Sequence, residues 1–234
     1  GWREALALWA VPAAAGVALW TTRLAGSHRD IDAVHVSGRL WRDPLAWQVT
    51  AFMGLQSLGF YATLAWLPTI FEQHGVAPTP AGWLLSLAGI ASLPAAFAAP
   101  VLGSSPARQR VVLVGVAGLN ALALAGLLWR PVAGSAAWMV LLGLAQGAAL
   151  SLALSFIVLR APNAARAAEL SGMAQSVGYL LAGLGPSAVG AVRQYTGGWV
   201  WPLALLAIFL FPELAAGLAA SRPLVVGERG APGG

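Results

Sequence analysis

The stretch from residue 45 to residue 70 constrains the fold more than any other part of the sequence. It reads LAWQVTAFMGLQSLGFYATLAWLPTI and carries no charged residue. About 20 apolar residues are enough to cross a hydrocarbon core of about 30 Å as an α-helix. The stretch also holds Gln56, Ser57, Tyr61 and Thr63, and polar side chains inside a bilayer face protein or water rather than lipid. The pattern predicts a membrane-spanning helix with a polar stripe.

The composition extends this prediction to the whole chain. Of the 234 residues, 59% are hydrophobic and 9% are charged, whereas ordinary soluble domains are about 25% charged. All 13 basic residues are arginines, so P-loop and Schiff-base chemistry, which need lysine, are excluded. The arginines lie singly between long apolar blocks, which argues against nucleic-acid binding. The sequence therefore indicates a polytopic helical membrane protein.

Seven membrane spans account for the apolar blocks, and the predicted fold class is an all-α membrane protein. The approximate bounds of the spans are residues 2–24, 44–71, 80–102, 109–129, 134–159, 167–192 and 199–221. Residues 25–43 form the longest polar connection between spans. Residues 223–234 are rich in Gly and Pro, and we expect this tail to be disordered.

The distribution of arginines predicts the orientation in the membrane. Ten arginines lie in the connections on one side and three on the other. The ten are Arg23, Arg29, Arg39, Arg42, Arg108, Arg110, Arg160, Arg166, Arg222 and Arg229, and the three are Arg3, Arg130 and Arg193. Because basic residues are enriched in cytoplasmic connections, we expect the N-terminus outside and the C-terminus in the cytoplasm of a bacterial plasma membrane.

A weak internal repeat suggests how the spans are grouped. Gly1-Trp2 precedes the first span and Gly198-Trp199 precedes the last, on the same predicted side. If these two spans are equivalent, the repeat unit has six spans, as in transporters built from parallel repeats. We therefore expect a fragment in which residues 1–24 are the last helix of an N-terminal half. Residues 25–43 would be a cytoplasmic linker between the halves, and residues 44–222 a six-helix C-terminal half.

Four segments carry a resemblance to a known family. They are residues 45–70, AGWLLSL (81–87), GLAQGAALSLAL (143–154) and ELSGMAQSVGYLLAGLGPSAVG (169–190). These segments resemble the cyanate/nitroimidazole-type permeases of the major facilitator superfamily. The resemblance implies a secondary transporter of about twelve helices, of which this chain holds helices 6 to 12. It also implies that helices 7, 8, 10 and 11 line one side of a central cavity. A gating motif of the family is incomplete here, because residues 103–110 keep arginines but lack the aspartate.

Five polar residues in the spans are candidates for a solute-binding site. A glutamine offers both a donor and an acceptor to a small polar solute, and a tyrosine adds a hydroxyl on an aromatic ring. By the helical period, Gln56 shares one side of its span with Phe60 and Thr63. The alternative for each candidate is an interhelical hydrogen bond, worth about 0.6 kcal/mol on average in membranes. The candidates are Gln56, Tyr61, Gln146, Gln175 and Tyr179.

Three further residues are candidates for gating or hinge motion. Pro68 and Pro186 each remove a backbone hydrogen bond, so the helix can bend there. Gly183 lies near Pro186 and permits close helix approach or a local break. Static proline kinks are also common in membrane helices, and that alternative stays open.

Small residues in the fifth span predict a packing seam. Gly143, Gly147, Ser151 and Ser155 recur every four residues, and such a ribbon of small residues lets a neighbouring helix approach closely.

Two polar residues in the remaining spans have other interpretations. We expect Asn120 in the fourth span to make an interhelical hydrogen bond. Glu213 is the only acid well inside a span. It is a candidate for proton coupling, or alternatively it reaches water near the cytoplasmic end of a peripheral helix.

The functional hypothesis is a secondary active transporter for a small polar or anionic solute, working by alternating access. An intramembrane enzyme needs a nucleophile and a base, and no His, Lys or Asp lies within a span. One alternative is a non-catalytic membrane subunit, although it gives no reason for polar residues on separate helices. The other alternative is a transporter for an unrelated organic solute. We expect no cofactor, metal or nucleotide. The expected partners are the solute, the lipid bilayer and the N-terminal half of the same transporter.

Overall fold

The computed structural model describes residues 2–24 and 40–227, and every regular element within these ranges is helical. The described α-helices are α1 (Trp2–Leu24), α2 (Pro44–Gln73), α3 (Pro78–Leu102), α4 (Pro106–Trp129), α5 (Ser135–Leu159), α6 (Ala164–Thr196) and α7 (Val200–Ala220). A short 3-10 helix, Leu40–Arg42, precedes α2. The predicted all-α class with seven helices is confirmed. Most of the predicted linker (25–39) and the end of the predicted tail (228–234) lie outside the described residues.

Helix α1 belongs to a separate unit and is described by itself. It continues through Pro12, and its apolar central part covers Ala10–Thr21. The side chains of Leu8, Val11 and Trp20 are exposed. Helices α2 to α7 form the second unit, which contains the candidate site residues.

Helix starts and ends follow the local sequence. The carboxylate of Asp43 accepts a hydrogen bond of 2.8 Å from the N–H of Leu45, so it caps the start of α2. Helix α3 begins earlier than predicted, because Pro78 already provides a first-turn proline after an extended residue. Helix α6 is longer than predicted at both ends. The side chain of Asn163 caps its start, and Gly197, with a φ of 71°, ends it.

The exterior of the second unit is largely apolar. Helices α3, α4, α5 and α7 are long and apolar enough to cross a membrane, whereas α2 and α6 are longer but more polar. Large apolar side chains on these helices point outward with exposed fractions between 64% and 84%. Examples are Ile90, Phe97, Trp129, Leu180 and Phe211. A surface of this kind is suited to lipid rather than to water.

Helices α3 and α5 pack closely along the predicted ribbon of small residues. A Cβ atom added to Gly143 or Gly147 would overlap the backbone of Ala88 or Ser92 in α3. The hydroxyl of Ser151 donates a hydrogen bond of 2.6 Å to a backbone carbonyl of α3. The packing interpretation of this ribbon is therefore confirmed.

Helices α2 and α6 form a second close pair. A Cβ atom added to Gly54 would lie 3.0 Å from the Cα atom of Gly178, and one added to Gly185 would lie 2.8 Å from the carbonyl oxygen of Leu58. Both helices contribute candidate site residues, so this contact fixes those residues relative to each other.

The segment after α7 packs against the end of the bundle where α2 begins. Val226 is buried, and its N–H donates to the carbonyl of Arg160 at 2.8 Å. The N–H of Gly227 donates to Asp43 Oδ2 at 2.6 Å. The Arg160 guanidinium donates to Gln109 Oε1 at 2.8 Å and to a carbonyl at the end of α7 at 2.7 Å. Burial lowers the pKa of Arg160. The start of the tail that was expected to be disordered is therefore held by hydrogen bonds and burial.

Candidate functional site

Helices α2, α4, α5 and α7 surround a small cavity, here called the interior cavity. Its volume is about 20 Å³, which is enough for about one water molecule. Most of its wall is apolar, but each of the four helices contributes at least one polar side chain. These polar residues are Gln56, Thr63, Asn120, Gln146 and Glu213.

Helix α2 contributes two polar residues that lie seven positions apart, which is about two helical turns. Gln56 is 5% exposed, and its Nε2 donates to Ser57 Oγ at 2.7 Å and to the carbonyl of Met53 at 3.2 Å. Gln56, Phe60 and Thr63 all line the interior cavity. The shared side that the helical period predicts for these three residues is confirmed.

A hydrogen-bonded pair connects α5 to α2 at the edge of the interior cavity. Gln146 Nε2 donates to Thr63 Oγ1 at 2.8 Å, and the Thr63 hydroxyl lies 2.9 Å from the carbonyl oxygens of Gly59 and Phe60. A second cavity of about 100 Å³ lies between α2, α3 and α5, and Thr63 and Gln146 line it as well. The pair therefore stands between the two cavities.

Two polar residues of the interior cavity differ from their sequence-based expectations. Asn120 and Glu213 are each 7% exposed, and neither makes a hydrogen bond to any residue that the structure describes. The expected interhelical bond of Asn120 is therefore wrong. Glu213 faces the bundle interior rather than the outer surface, because α7 packs this side against α2 and α4. A signal for this was present in the sequence, since Leu206, Leu210 and Glu213 recur every three or four residues.

Three other candidates lie together on the outside of the α2–α6 pair, on what we call the aromatic surface. The rings of Tyr61 and Tyr179 are in an edge-to-face arrangement with centroids 6.4 Å apart. These side chains are 40% and 43% exposed. Gln175 lies one turn before Tyr179 on α6, and its Nε2 donates to Ser171 Oγ at 2.7 Å. The aromatic surface is defined by Tyr61, Gln175 and Tyr179.

The structure thus separates the five candidate residues into two groups. Gln56 and Gln146 line the interior cavity, while Tyr61, Gln175 and Tyr179 form the aromatic surface. Gln56 and Tyr61 belong to the same helix but lie about 140° apart around its axis, because five residues advance an α-helix by that angle beyond one turn. Residue type alone did not predict this separation.

The gating candidates lie in continuous parts of their helices. Pro68 is inside α2 and Pro186 is inside α6, and both helices continue beyond them. The indole N–H of Trp66 donates to the carbonyl of Pro186 at 2.8 Å, which links the two helices at this level. A Cβ atom on Gly183 would meet nothing within 4 Å, so the close approach of α6 to α2 occurs at Gly185 instead. The hinge role of these residues stays a prediction.

Comparisons with known proteins give a consistent result. Residues 1–186 match the family model described as Major Facilitator Superfamily. The chain is 42% identical over 229 residues to the uncharacterized transporter YycB of Bacillus subtilis (strain 168), covering 95% of the chain. It is 39% identical over 190 residues, or 81% of the chain, to the 2-nitroimidazole transporter of Escherichia coli (strain K12). The cyanate transport protein CynX of the same organism is 26% identical over 211 residues, or 88% of the chain.

The chain spans about half the length of these curated relatives. The matched regions cover 56% of YycB, 48% of the 2-nitroimidazole transporter and 54% of CynX. The helices of this chain therefore correspond to about half of the sequence of each relative.

Proposed function

Because the chain belongs to the major facilitator superfamily, we propose that it forms the C-terminal part of a secondary transporter for a small polar or anionic solute. The family and the named relatives are transporters rather than enzymes. In the proposed mechanism, two six-helix halves rock about a site near the membrane midplane. Residues 44–222 supply one half, residues 1–24 supply the last helix of the other, and residues 25–43 link the halves. The remaining helices belong to an N-terminal half of the same protein.

The proposed membrane placement extends to all seven helices. Helices α2 and α6 would span the bilayer with their polar sides turned toward protein or the solute path. The arginine distribution supports a C-terminus in the cytoplasm of a bacterial plasma membrane. Cysteine labelling of the full-length protein tests this orientation. A cysteine replacing His74 should react with an impermeant reagent added outside, and one replacing Arg108 should not. The reverse pattern would contradict the orientation.

The aromatic surface is the observation that carries the proposed solute site. Most outward side chains of the bundle are apolar, but Tyr61, Gln175 and Tyr179 present hydroxyl and amide groups beside two partly exposed rings. Their helices resemble helices 7 and 11 of the family, so this surface would face the central cavity once both halves are assembled. An E. coli relative is named a 2-nitroimidazole transporter. A planar polar heterocycle is thus the first solute to test, and Gln56 and Gln146 would support the site from the interior.

Uptake of radiolabelled 2-nitroimidazole and cyanate by the full-length protein tests the proposal. We expect Tyr179→Ala and Gln175→Ala to raise the KM for the transported solute, because both changes remove groups that contact it. Tyr195→Ala is the matched control, since Tyr195 is an exposed tyrosine near the end of the same helix. If both test variants keep wild-type KM and maximal rate at equal expression, the site assignment is wrong. If the wild-type protein transports neither solute, these two solutes are excluded.

A further inference from the structure

Glu213 is the starting point, because its carboxyl group is buried far from both ends of α7. It is the fourteenth of the 21 residues of this helix. At a rise of 1.5 Å per residue, about 10 Å of helix separates Glu213 from the last residue of α7 and about 20 Å from the first. Its side chain lines the interior cavity and is 7% exposed.

No cation lies beside this carboxyl group among the residues that line the interior cavity. The lining residues from α2, α4 and α5 are all uncharged, and their polar members are Gln56, Thr63, Asn120 and Gln146. The helices that pack against α7 are α2, α4 and α6. The charged residues of α2, α4 and α6 lie in or near the terminal turns of these helices, and they are Glu72, Arg108, Arg110, Arg166, Glu169 and Arg193. The tyrosines of α2 and α6 do not line the interior cavity, and they are Tyr61, Tyr179 and Tyr195.

The neighbours of Glu213 are suited to a protonated carboxyl group. An ionised carboxylate buried without a cationic partner is strongly disfavoured, and protonation is the usual way in which such a group becomes neutral. A protonated carboxyl group gains one O–H donor. The side-chain oxygen of Gln56 accepts no hydrogen bond from a described residue, so the same cavity contains an acceptor for that donor.

A route toward Glu213 passes the hydrogen-bonded pair of Gln146 and Thr63. These two residues line both the interior cavity and the cavity of about 100 Å³ between α2, α3 and α5. Because the interior cavity has room for about one water molecule, its size fits a proton carried by water better than a hydrated metal cation. The pair therefore lies at the boundary between the two cavities.

We propose that Glu213 is the protonation site that couples solute movement to the proton gradient, with Gln146 and Thr63 at its entrance. The carboxylate binds a proton that comes from one side of the membrane and releases it to the other side later in the transport cycle. No other reactant is consumed. This inference rests on the proposed transport function. It assigns coupling to the interior cavity and solute recognition to the aromatic surface.

Two transport measurements on the full-length protein in proteoliposomes separate coupling from recognition. The first follows accumulation of radiolabelled 2-nitroimidazole or cyanate driven by a pH gradient, and the second follows exchange of the same solute at equal pH. For one proton per solute, the wild-type protein should accumulate about tenfold per pH unit. Glu213→Gln should reduce this ratio to about one while keeping exchange, and Glu213→Asp should retain part of it. Glu72→Gln, which changes an exposed acid at the end of α2, is the control.

Each other outcome overturns a stated part of the proposal. Wild-type accumulation in Glu213→Gln, or accumulation driven by a sodium gradient instead of a pH gradient, overturns the role of Glu213. Loss of exchange in Glu213→Gln, with an unchanged thermal unfolding midpoint, would place Glu213 in the solute site. This result would also overturn its assignment as the coupling residue. If the wild-type protein exchanges neither solute, the proposed function fails for these solutes. An infrared pH titration without solute then decides on Glu213, because the carbonyl band of a buried protonated carboxyl must be present in the wild type and absent from Glu213→Gln.

Discussion

The interior cavity and the aromatic surface receive polar side chains from the same helix, α2, but place them in different surroundings. In the interior cavity, Gln56 and Thr63 are buried and hydrogen-bonded within the protein. On the aromatic surface, Tyr61 is partly exposed, and its ring is in an edge-to-face arrangement with the rings of Phe60 and Tyr179. The comparison shows that direction around the helix decides whether a polar side chain of α2 is buried inside the bundle or partly exposed on its surface.

The largest expected effect on stability concerns the packing of α3 against α5, the helix that carries Gln146 of the interior cavity. Gly147 follows Gln146 on α5, and a Cβ atom there would overlap the backbone of Ser92 in α3. Gly147→Val should therefore destabilise the protein by about 3 kcal/mol, since backbone atoms cannot move aside as a flexible side chain can. The measurement is the thermal unfolding midpoint of the full-length protein in detergent, together with its yield in membranes.

Gly118→Val on α4 is the matched control for this variant. A Cβ atom on Gly118 would meet nothing within 4 Å, so the added methyl groups should change stability by less than about 0.5 kcal/mol. Equal losses in both variants would show that the seam between α3 and α5 is looser than the structure indicates.

The second largest expected effect is an increase, rather than a decrease, in the free energy of unfolding. Asn120 is buried in the interior cavity without a partner among the described residues. Asn120→Leu should therefore stabilise the protein by up to about 1 kcal/mol, because it replaces a 7% exposed amide that bonds to no described residue with an apolar side chain. Gln146→Leu should destabilise it, because the Gln146 amide does have a partner. Unfolding midpoints of the two variants test this contrast. A loss of stability in Asn120→Leu would mean that Asn120 is hydrogen-bonded in the assembled transporter.

The sequence predicted the helices and one packing surface better than it predicted the site. Long uncharged blocks and capping residues such as Asp43 determine where helices form. The spacing from Gly143 to Ser151 predicted a close contact with a neighbouring helix, which the structure shows to be α3. These are local properties of the chain. The direction of Glu213 depends on how α7 rotates against α2 and α4, which is a property of the assembled bundle. The separation of Gln56 from Tyr61, in contrast, follows from the helical period of α2 itself, and the bundle decides only which of the two sides is buried.

A third and smaller effect is expected from the hydrogen bond between Thr63 and Gln146, which lies between the two cavities. Thr63 and Gln146 are joined by a hydrogen bond of 2.8 Å between side chains on different helices. A double-mutant cycle with Thr63→Val and Gln146→Leu should give a coupling energy of about 0.6 kcal/mol, and at most about 1.7 kcal/mol, as for other interhelical bonds in membranes. Unfolding midpoints of the two single variants and the double variant supply the cycle. Fully additive effects would show that the pair does not form.

The smallest effect on stability is expected on the aromatic surface, and it completes the contrast with the interior. The edge-to-face contact of Tyr61 and Tyr179 is partly open to the surroundings, so its loss in Tyr179→Leu should cost about 0.5 kcal/mol or less. Tyr179→Phe keeps the ring and should leave stability unchanged, because no described residue bonds to the hydroxyl. Both variants should nevertheless raise the KM for the solute, and Tyr179→Leu should raise it more. If Tyr179→Leu instead destabilises the protein as strongly as Gln146→Leu does, the ring pair is a structural contact and the aromatic surface does not bind the solute.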